Sequence, residues 1–340
     1  MIHAPSQPRR SSADAASLET HCKGLWSSMA ASSTGFDIVS FGEPMVEFNQ
    51  TGGGAGRLYL QGYGGDSSNF AIAAARQSAR VAYVSALGDD AYGHALRALW
   101  QREAVDHAGV KTDPQAFTAI YFVTHDAKGH QFSFYRSGSA ASRMTPADLP
   151  LPLINGARVL HLSGISLAIS AAACDTAYAA IDAARAAGVK VSFDTNLRLK
   201  LWPIGRARAV MSDVMRLCQI CLPSYDDIVA ITELTEPDAI VDHCLALGAE
   251  VVALKLGERG AIVADARQRH RIEPHRCQPV DATGAGDTFG GAFVARLVAG
   301  DGLAEAGRYA SVAAALSTEG YGAVDPIPSA ERVRMAMAAG

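Results

Sequence analysis

Residues 281–293 read DATGAGDTFGGAF, a glycine-rich turn that contains two aspartates and no lysine. Gly284, Ala285 and Gly286 are small, and an apolar helical pattern starts directly after them. Small residues here let successive backbone N–H groups point outward at the amino end of a helix, where the helix dipole is positive. The turn therefore predicts an anion hole built from main-chain dipoles, suited to stabilising charge on a phosphoryl group during its transfer.

Asp287 lies in the first turn of this predicted helix. A carboxylate held ionised there at neutral pH can accept the proton of a substrate hydroxyl as a general base. The alternative is an aspartate that only caps a helix after a glycine turn, an arrangement common in α/β proteins. Spacing alone leaves both interpretations open.

Two other glycine-rich phosphate motifs do not fit the sequence. A Walker A loop requires GxxxxGK[ST], and the chain contains no such string. The cluster TGGGAG at 51–56 is not followed by the helical pattern that a dinucleotide-binding fingerprint needs. The glycines therefore favour neither a P-loop enzyme nor a dehydrogenase.

From Phe36 onward, apolar runs typical of buried strands alternate with helical patterns. This alternation predicts an α/β fold with a mainly parallel central sheet and helices on both faces. It pauses at 117–136, where two β-branched and aromatic runs joined by AKG form a hairpin pattern. Together with the segment near 57–63, this hairpin predicts a small β-sheet lid. Two helices, one within 284–300 and one starting at Leu303, are predicted to close the chain.

The first 35 residues are rich in serine and alanine and poor in periodic apolar residues. They lack the continuous apolar core of a secretory signal. We therefore expect a disordered N-terminal extension over residues 1–35, followed by one domain over residues 36–340.

The composition is that of an ordinary globular protein, with 49% hydrophobic and 19% charged residues in 340. A formal net charge of −4 favours neither nucleic acid nor an anionic membrane as a partner, and no apolar run is long enough to span a bilayer. Six cysteines in apolar surroundings indicate reduced thiols in a cytoplasmic protein. The CxxC pair Cys218 and Cys221 has no zinc-binding partners at suitable spacing, so we expect two buried structural thiols.

The turn at 281–293 resembles the C-terminal signature of ribokinase-type (PfkB) carbohydrate kinases. GYGGDSSNFAIAAAR at 62–76, with VSALGDDAYG at 84–93, resembles their N-terminal signature. The resemblance covers essentially Phe36 to the C-terminal helix and implies a ribokinase-like fold. Within that family, three stretches are similar to 2-keto-3-deoxygluconate kinases: FSFYRSGSAAS (132–142), HLSGISLAIS (161–170) and SFDTNLRLKLW (192–202). FGEPMVEF (41–48) is shared with that branch and with some fructokinases.

The resemblance implies a sugar-acid kinase that transfers the γ-phosphate of ATP to the terminal hydroxyl of 2-keto-3-deoxygluconate, giving 2-keto-3-deoxy-6-phosphogluconate. Mg²⁺ would bridge the nucleotide phosphates and keep most of its waters. The alternative is a fructokinase or another neutral-sugar kinase, because a fold does not fix its substrate. A monovalent cation activates parts of the family, and a homodimer through the lid would cover the exposed lid edge.

The resemblance also implies individual roles. Asp287 would be the catalytic base, and the anion hole would comprise Gly284, Ala285 and Gly286. Substrate contacts would come from Gly65, Asp66, Asn69, Tyr121, Phe134, Tyr135, Arg136, Arg198 and Asp287. ATP contacts would come from Asn196, Arg198, Lys255, Gly257, Gly260, Gly284 and Gly286.

Arg136 and Arg198 carry the physical argument for an acidic sugar, because a planar guanidinium matches a carboxylate. The alternative is an exposed strand residue for Arg136 and a solvated loop cation for Arg198. Asp227, with Ser224, stands where many family members have Asn-x-x-Glu, and would hold Mg²⁺ indirectly through water. Glu319 is a candidate for the acidic C-terminal substrate contact of that branch, and aligning it requires a gap.

Overall fold

The computed structural model describes residues 35–51, 58–126 and 129–339. The predicted extension over residues 1–35 lies outside the described residues apart from Gly35, and so does Arg57 at the start of the predicted lid segment. The strands are β1 (Ile38–Phe41), β2 (Met45–Thr51), β3 (Leu58–Gly64), β4 (Val81–Gly88), β5 (Val105–Asp106), β6 (Val110–Asp113), β7 (Ile120–Asp126), β8 (Gly129–Tyr135), β9 (Val159–Ser163), β10 (Lys190–Asp194), β11 (Ile220–Leu222), β12 (Val251–Lys255), β13 (Ala261–Ala264) and β14 (Arg269–Ile272). The α-helices are α1 (Asp66–Arg76), α2 (Ala91–Arg102), α3 (Leu151–Asn155), α4 (Gly164–Ala168), α5 (Ala171–Ala186), α6 (Ile204–Leu217), α7 (Tyr225–Thr232), α8 (Pro237–Ala246), α9 (Ala285–Ala299), α10 (Leu303–Ser317) and α11 (Ala330–Ala339).

The central sheet has the strand order β14-β13-β12-β11-β10-β9-β1-β4-β5, with β6 also beside β4. Every pairing from β12 to β5 is parallel, and the meander β12-β13-β14 is antiparallel. The predicted mainly parallel sheet is therefore confirmed. Strands β5 and β6 were not predicted, because two to four residues are too few for a periodicity to show.

Two hydrophobic cores cover the two faces of this sheet. Ile38 packs on the face covered by α1, α2, α9 and α10, while its neighbour Val39 packs on the face covered by α5 to α8. Strand β4 is buried at all eight positions, as expected for a strand covered on both sides. The predicted three-layer arrangement is confirmed.

Helices α1 and α9 lie side by side because glycine brings their backbones together. A Cβ at Gly291 would lie 2.5 Å from the Phe70 carbonyl oxygen and 2.8 Å from Ala73 Cβ. Only a residue without a side chain allows this approach. The contact aligns the amino ends of two helices that are far apart in the sequence.

The lid is a separate four-stranded sheet with the order β3-β2-β7-β8. Both predicted segments contribute to it, in β3 and in the hairpin β7-β8. Strand β2 is central to the lid, pairing antiparallel with β3 and parallel with β7. The sequence predicted β2 as a strand but did not assign it to the lid, since pairing partners are set by contacts between distant segments.

The chain closes with three helices instead of the two predicted. Helix α11 follows α10 and buries Val333 against the core. Four of its seven apolar residues are alanines, which give only a weak helical periodicity of hydrophobicity. None of the helices in the described part of the chain is long and apolar enough to cross a lipid bilayer.

Candidate active site

A cavity of about 600 Å³ lies between the lid and the carboxyl ends of the parallel strands, the usual ligand position in open α/β sheets. We call it the lid cavity. It brings together most of the predicted substrate residues with the glycine-rich turn. Its lining includes Met45, Gly65, Asp66, Asn69, Tyr121, Phe132, Phe134, Arg136, Ile165, Asp194, Asn196, Arg198, Ser224, Asp227, Lys255, Gly284, Gly286 and Asp287.

The glycine-rich turn begins α9 as the sequence predicted. Gly284 is the N-cap in the left-handed region at φ 75°, and a Cβ there would lie 3.0 Å from the Ala323 carbonyl oxygen. The first N–H groups of a helix have no intrahelical acceptor. The Ala285 N–H, however, donates to the Ala282 carbonyl at 3.2 Å. The backbone N–H groups at this end that can donate to an anion are therefore those that follow Ala285.

Asp287 lies half-buried in the lid cavity and accepts a hydrogen bond of 2.8 Å from Asn69 Nδ2. Burial raises the pKa of Asp287 to about 8, and the negative charges of Asp66 and Asp194 add to this effect. This upward shift runs against the expectation that Asp287 is held ionised at neutral pH. The cause is the crowding of carboxylates from three different segments, which no local pattern reports.

Asp66 is the first residue of α1 and is buried beside Asp287. It follows Gly65, whose φ of 100° and close contact with the Glu43 carbonyl oxygen require glycine. Asn196 Nδ2 donates to Asp66 at 3.3 Å. Burial raises the pKa of Asp66, and the nearby Asp194 carboxylate adds to the rise.

Arg136 is buried at the end of β8, so the interpretation as an exposed strand residue is wrong. Its guanidinium pairs with Glu43, with Nε at 2.6 Å and Nη2 at 2.5 Å from Oε2. Ser139 donates to the other oxygen of Glu43. The protein itself thus supplies the carboxylate for Arg136. Arg198, by contrast, is exposed and donates to the Leu197 carbonyl.

Aromatic side chains of the lid form one wall of the cavity. Tyr121 stacks on Phe134 with ring centroids 5.5 Å apart, and its hydroxyl donates to Glu47 at 2.5 Å. Tyr135 lies on the opposite face of β8, 58% exposed and edge-on to Phe122. The prediction that Tyr135 lines the site is therefore wrong, because consecutive residues of a strand point to opposite faces.

At the far end of the lid cavity, Lys255 pairs with the buried Asp194 at 2.5 Å. Asp227 accepts a hydrogen bond of 3.0 Å from the Thr195 hydroxyl, which also receives the Ser224 N–H. Burial raises the pKa of Asp227. Among the described residues, no three His, Cys, Asp or Glu side chains could hold a metal ion by themselves. A divalent cation here would take most of its ligands from phosphate and water.

A second cavity of about 480 Å³, the rear cavity, adjoins the first at Lys255, Ala282 and Gly286. Its walls come from the strand end and turn at 255–260, from the segment 274–279, and from helices α9 and α10. Of the predicted ATP residues, Gly257 and Gly260 line this cavity, whereas Asn196 and Arg198 line only the lid cavity.

Sequence reasoning missed three parts of the site. Glu43 and Asp194 stand at the ends of buried strands β1 and β10, and an acid in that position was the available signal. The segment 274–279 carries no motif that could have identified it.

Glu319 pairs with Arg332 and lines neither cavity, so the structure does not bring this candidate to the site.

Comparisons with known proteins agree with this geometry. The family described as pfkB family carbohydrate kinase matches residues 36–330. Fructokinase-2 of Solanum habrochaites is 33% identical over 317 residues, covering 88% of this chain and 95% of that protein. Fructokinase-1 of Zea mays is 34% identical over 312 residues, covering 87% and 96%.

Two solved structures share the fold. A PfkB protein from Polaromonas sp. JS666 has a TM-score of 0.80 at 29% identity, covering 88% of this chain and 99% of that chain. Fructokinase from Vibrio cholerae O395, in a form with fructose, ADP and calcium ion bound, has a TM-score of 0.80 at 26% identity, covering 88% and 98%.

These findings correct one expectation and confirm another. The prediction of a 2-keto-3-deoxygluconate kinase is wrong, because the relatives that match at 33–34% identity are named fructokinases. The family match over residues 36–330 and the identity to these relatives confirm the predicted ATP-dependent carbohydrate kinase. The chain belongs to the pfkB family of carbohydrate kinases.

Proposed function

We propose that this kinase phosphorylates a neutral ketohexose, with fructose as its preferred substrate. The observation that carries the proposal is the pairing of Arg136 with the buried Glu43. A guanidinium already matched by an internal carboxylate has little to offer to an acidic sugar. The fructokinase names of the relatives support the same substrate.

The charges around the sugar end of the lid cavity also support a neutral substrate. The Asp66 carboxylate raises the pKa of Asp287, and the Asp194 carboxylate raises the pKa of both. A substrate carboxylate would bring a further negative charge into this group. Neutral hydroxyls, in contrast, can donate to Asp66 and Asp287 and accept from Asn69.

In the proposed mechanism, Asp287 is the general base. The acceptor hydroxyl of the sugar gives its proton to the Asp287 carboxylate while its oxygen attacks the γ-phosphorus of ATP, and ADP leaves. The amino end of α9 would face the transferring phosphoryl group and stabilise its charge. Lys255 stands where the two cavities adjoin and would neutralise charge on the phosphates.

We propose the rear cavity for the adenosine part of ATP. Its apolar wall, which includes Pro274, Pro279, Phe289 and Ala314, suits a flat purine ring. When bound, Mg²⁺ would neutralise the phosphate charge, with Asp227 contacting it through water. The monovalent-cation requirement implied by the family resemblance stays a prediction.

We also propose that the protein forms a homodimer through the lid. On the face of the lid that carries Tyr121, the strand register aligns four exposed apolar side chains at the positions Leu58, Leu60, Phe132 and Phe134. An exposed apolar sheet face of this kind usually marks a contact surface.

A single kinase domain over residues 36–340 and a cytoplasmic location remain part of the proposal. The free thiols of the described cysteines support the latter.

A substrate panel with Mg-ATP tests the substrate assignment. We expect kcat/KM for fructose to exceed the values for glucose, ribose and 2-keto-3-deoxygluconate by at least about tenfold, since contacts in a substrate pocket can provide discrimination of this size. A preference for the sugar acid, or the absence of any sugar phosphorylation, would contradict the proposal. Omitting Mg²⁺ is the control for nonenzymatic loss of ATP.

A further inference from the structure

Glu43 is a buried acid whose place in the chain connects the central sheet with the lid. It follows β1, its side chain has no exposed surface, and its partners Arg136 and Ser139 come from the far end of β8 and the turn after it. Arg136 in turn lines the lid cavity, whereas Glu43 does not. The acid therefore influences the cavity only through the arginine.

The contacts of Glu43 are those of a carboxyl group paired with a guanidinium. Its Oε2 accepts a hydrogen bond of 2.6 Å from Nε of Arg136 and lies 2.5 Å from Nη2 as an ion-pair contact. The second oxygen is engaged by the Ser139 hydroxyl. Burial raises the pKa of Glu43 above its usual value, and the Arg136 charge with the Ser139 and Arg136 hydrogen bonds offsets only part of this rise. The contacts nevertheless join the carboxyl group directly to a guanidinium. The pair is thus a matched internal ion pair with no net charge.

We infer that Glu43 is a specificity-determining positioning residue, which cancels the charge of Arg136 and orients its guanidinium so that the lid cavity accepts neutral sugars and rejects sugar acids. This inference rests on the proposed function, in which the sugar occupies the lid cavity. It assigns the selectivity to a residue that never touches the substrate. Arg136 can still donate a hydrogen bond to a sugar hydroxyl, but it does not offer an unpaired positive charge.

The groups around Arg136 explain why its positive charge needs the compensation that Glu43 supplies. Asp66, Asp194 and Asp287 line the same cavity as Arg136, and Arg136 lies close enough to lower the pKa of Asp66. An uncompensated Arg136 would therefore attract a carboxylate into the cavity. Removing one partner of a buried ion pair leaves a charge that seeks a new partner.

The test is Glu43→Gln, which keeps the shape of the side chain and removes its charge. The probes are gluconate and its neutral counterpart glucitol, measured as competitive inhibitors of fructose phosphorylation. In the wild type, glucitol should inhibit at least about tenfold more tightly than gluconate. In E43Q, the inhibition constant of gluconate should fall at least about tenfold, a change typical of one new charge-assisted contact. The constant for glucitol should change much less.

Two further variants separate charge from shape. Ser139→Ala removes the other partner of Glu43 without changing any charge, and its ratio of gluconate to glucitol inhibition should match the wild type. In the double variant Glu43→Gln/Arg136→Gln, the tightening of gluconate inhibition seen in E43Q should be lost, because the guanidinium that would attract the carboxylate is removed.

Several outcomes would overturn the inference. Equal inhibition of the wild type by gluconate and glucitol would do so even if E43Q failed to fold. An unchanged gluconate constant in folded E43Q, or the same shift in S139A, would also do so. A wild type that phosphorylates no sugar would instead remove the proposed function, so the two failures are distinguishable.

Discussion

Asp287 is the side chain on which the proposed chemistry depends most directly. We expect Asp287→Asn to reduce the turnover of fructose by about 10³-fold or more, because an amide cannot accept the hydroxyl proton. The affinity for ATP, measured by titration calorimetry, should stay within a few-fold of the wild-type value, since the adenosine would bind in the rear cavity. The exposed Asp175→Asn is a matched control that should retain full activity. Unchanged turnover in D287N would refute the assigned role.

The raised pKa of Asp287 predicts how activity depends on pH. The free enzyme has a pKa of about 8 at this carboxyl, so the base is protonated at low pH and becomes available as the pH rises. We expect kcat/KM for fructose to increase between pH 6 and 9 with a midpoint at about pH 8, provided that the chemical step limits the rate. A profile that is flat over this range would contradict the assignment.

The same carboxyl predicts a pH-dependent stability. Between the unfolded pKa of 3.8 and the folded pKa of about 8, the folded protein binds a proton that the unfolded chain does not. The free energy of unfolding therefore falls as the pH rises through this window and is constant above it, a loss of at most about 6 kcal/mol. D287N lacks this penalty, so its melting temperature should exceed that of the wild type at pH 8.5 and approach it at pH 4. An equal difference in melting temperature between D287N and the wild type at pH 4 and at pH 8.5 would argue against a raised pKa of Asp287.

The contact between α1 and α9 holds the two halves of the site together. Gly291→Ala would place a methyl group 2.5 Å from the Phe70 carbonyl oxygen and 3.0 Å from the Ala74 nitrogen, and backbone atoms cannot move aside easily. We expect a loss of about 2–3 kcal/mol in the free energy of unfolding, measured by denaturant titration. Fructose binding should weaken as well, because Asp66 and Asn69 lie on α1 and Asp287 on α9.

Helix α6 offers a matched control for this substitution. Gly205 is also helical, and a Cβ there would have nothing within 4 Å. Gly205→Ala should leave the protein as stable as the wild type or slightly more stable, since alanine is the better helix former. If both glycine variants lose the same stability, close packing at Gly291 is not the cause.

For the molecule as a whole, the lid face is the feature that predicts association. Leu58 is 69% exposed and Leu60 62% exposed, and both share a lid face with Phe132 and Phe134. We expect Leu60→Asp to shift the dimer toward the monomer in sedimentation velocity, because a buried unpaired carboxylate opposes association. Met335→Asp, equally exposed on α11, is the control and should leave the dimer intact. A wild type that sediments only as a monomer would remove the proposed interface.

Local patterns in the sequence were sufficient for the architecture. Strands and helices are decided largely by the periodicity of apolar residues along a short stretch, so the parallel sheet, its two covered faces and most of its elements could be predicted. The turn at Gly284 could be predicted for the same reason, because a glycine at a helix start acts on its immediate neighbours. Even the lid followed from the hairpin pattern of β7 and β8.

Tertiary structure decided everything that depends on which distant groups meet. The place of β2 in the lid, the rear cavity and the pairing of Glu43 with Arg136 join segments separated by tens of residues or more, and no local periodicity encodes them. The ionisation of Asp287 belongs here too, since its pKa reflects burial beside Asp66 and Asp194. The sequence by itself thus determined the scaffold and the position of the proposed base, because these arise from short-range chemistry. Charge balance in the cavity, on which the proposed preference for a neutral sugar rests, emerges only when the folded chain brings its carboxylates and guanidinium together.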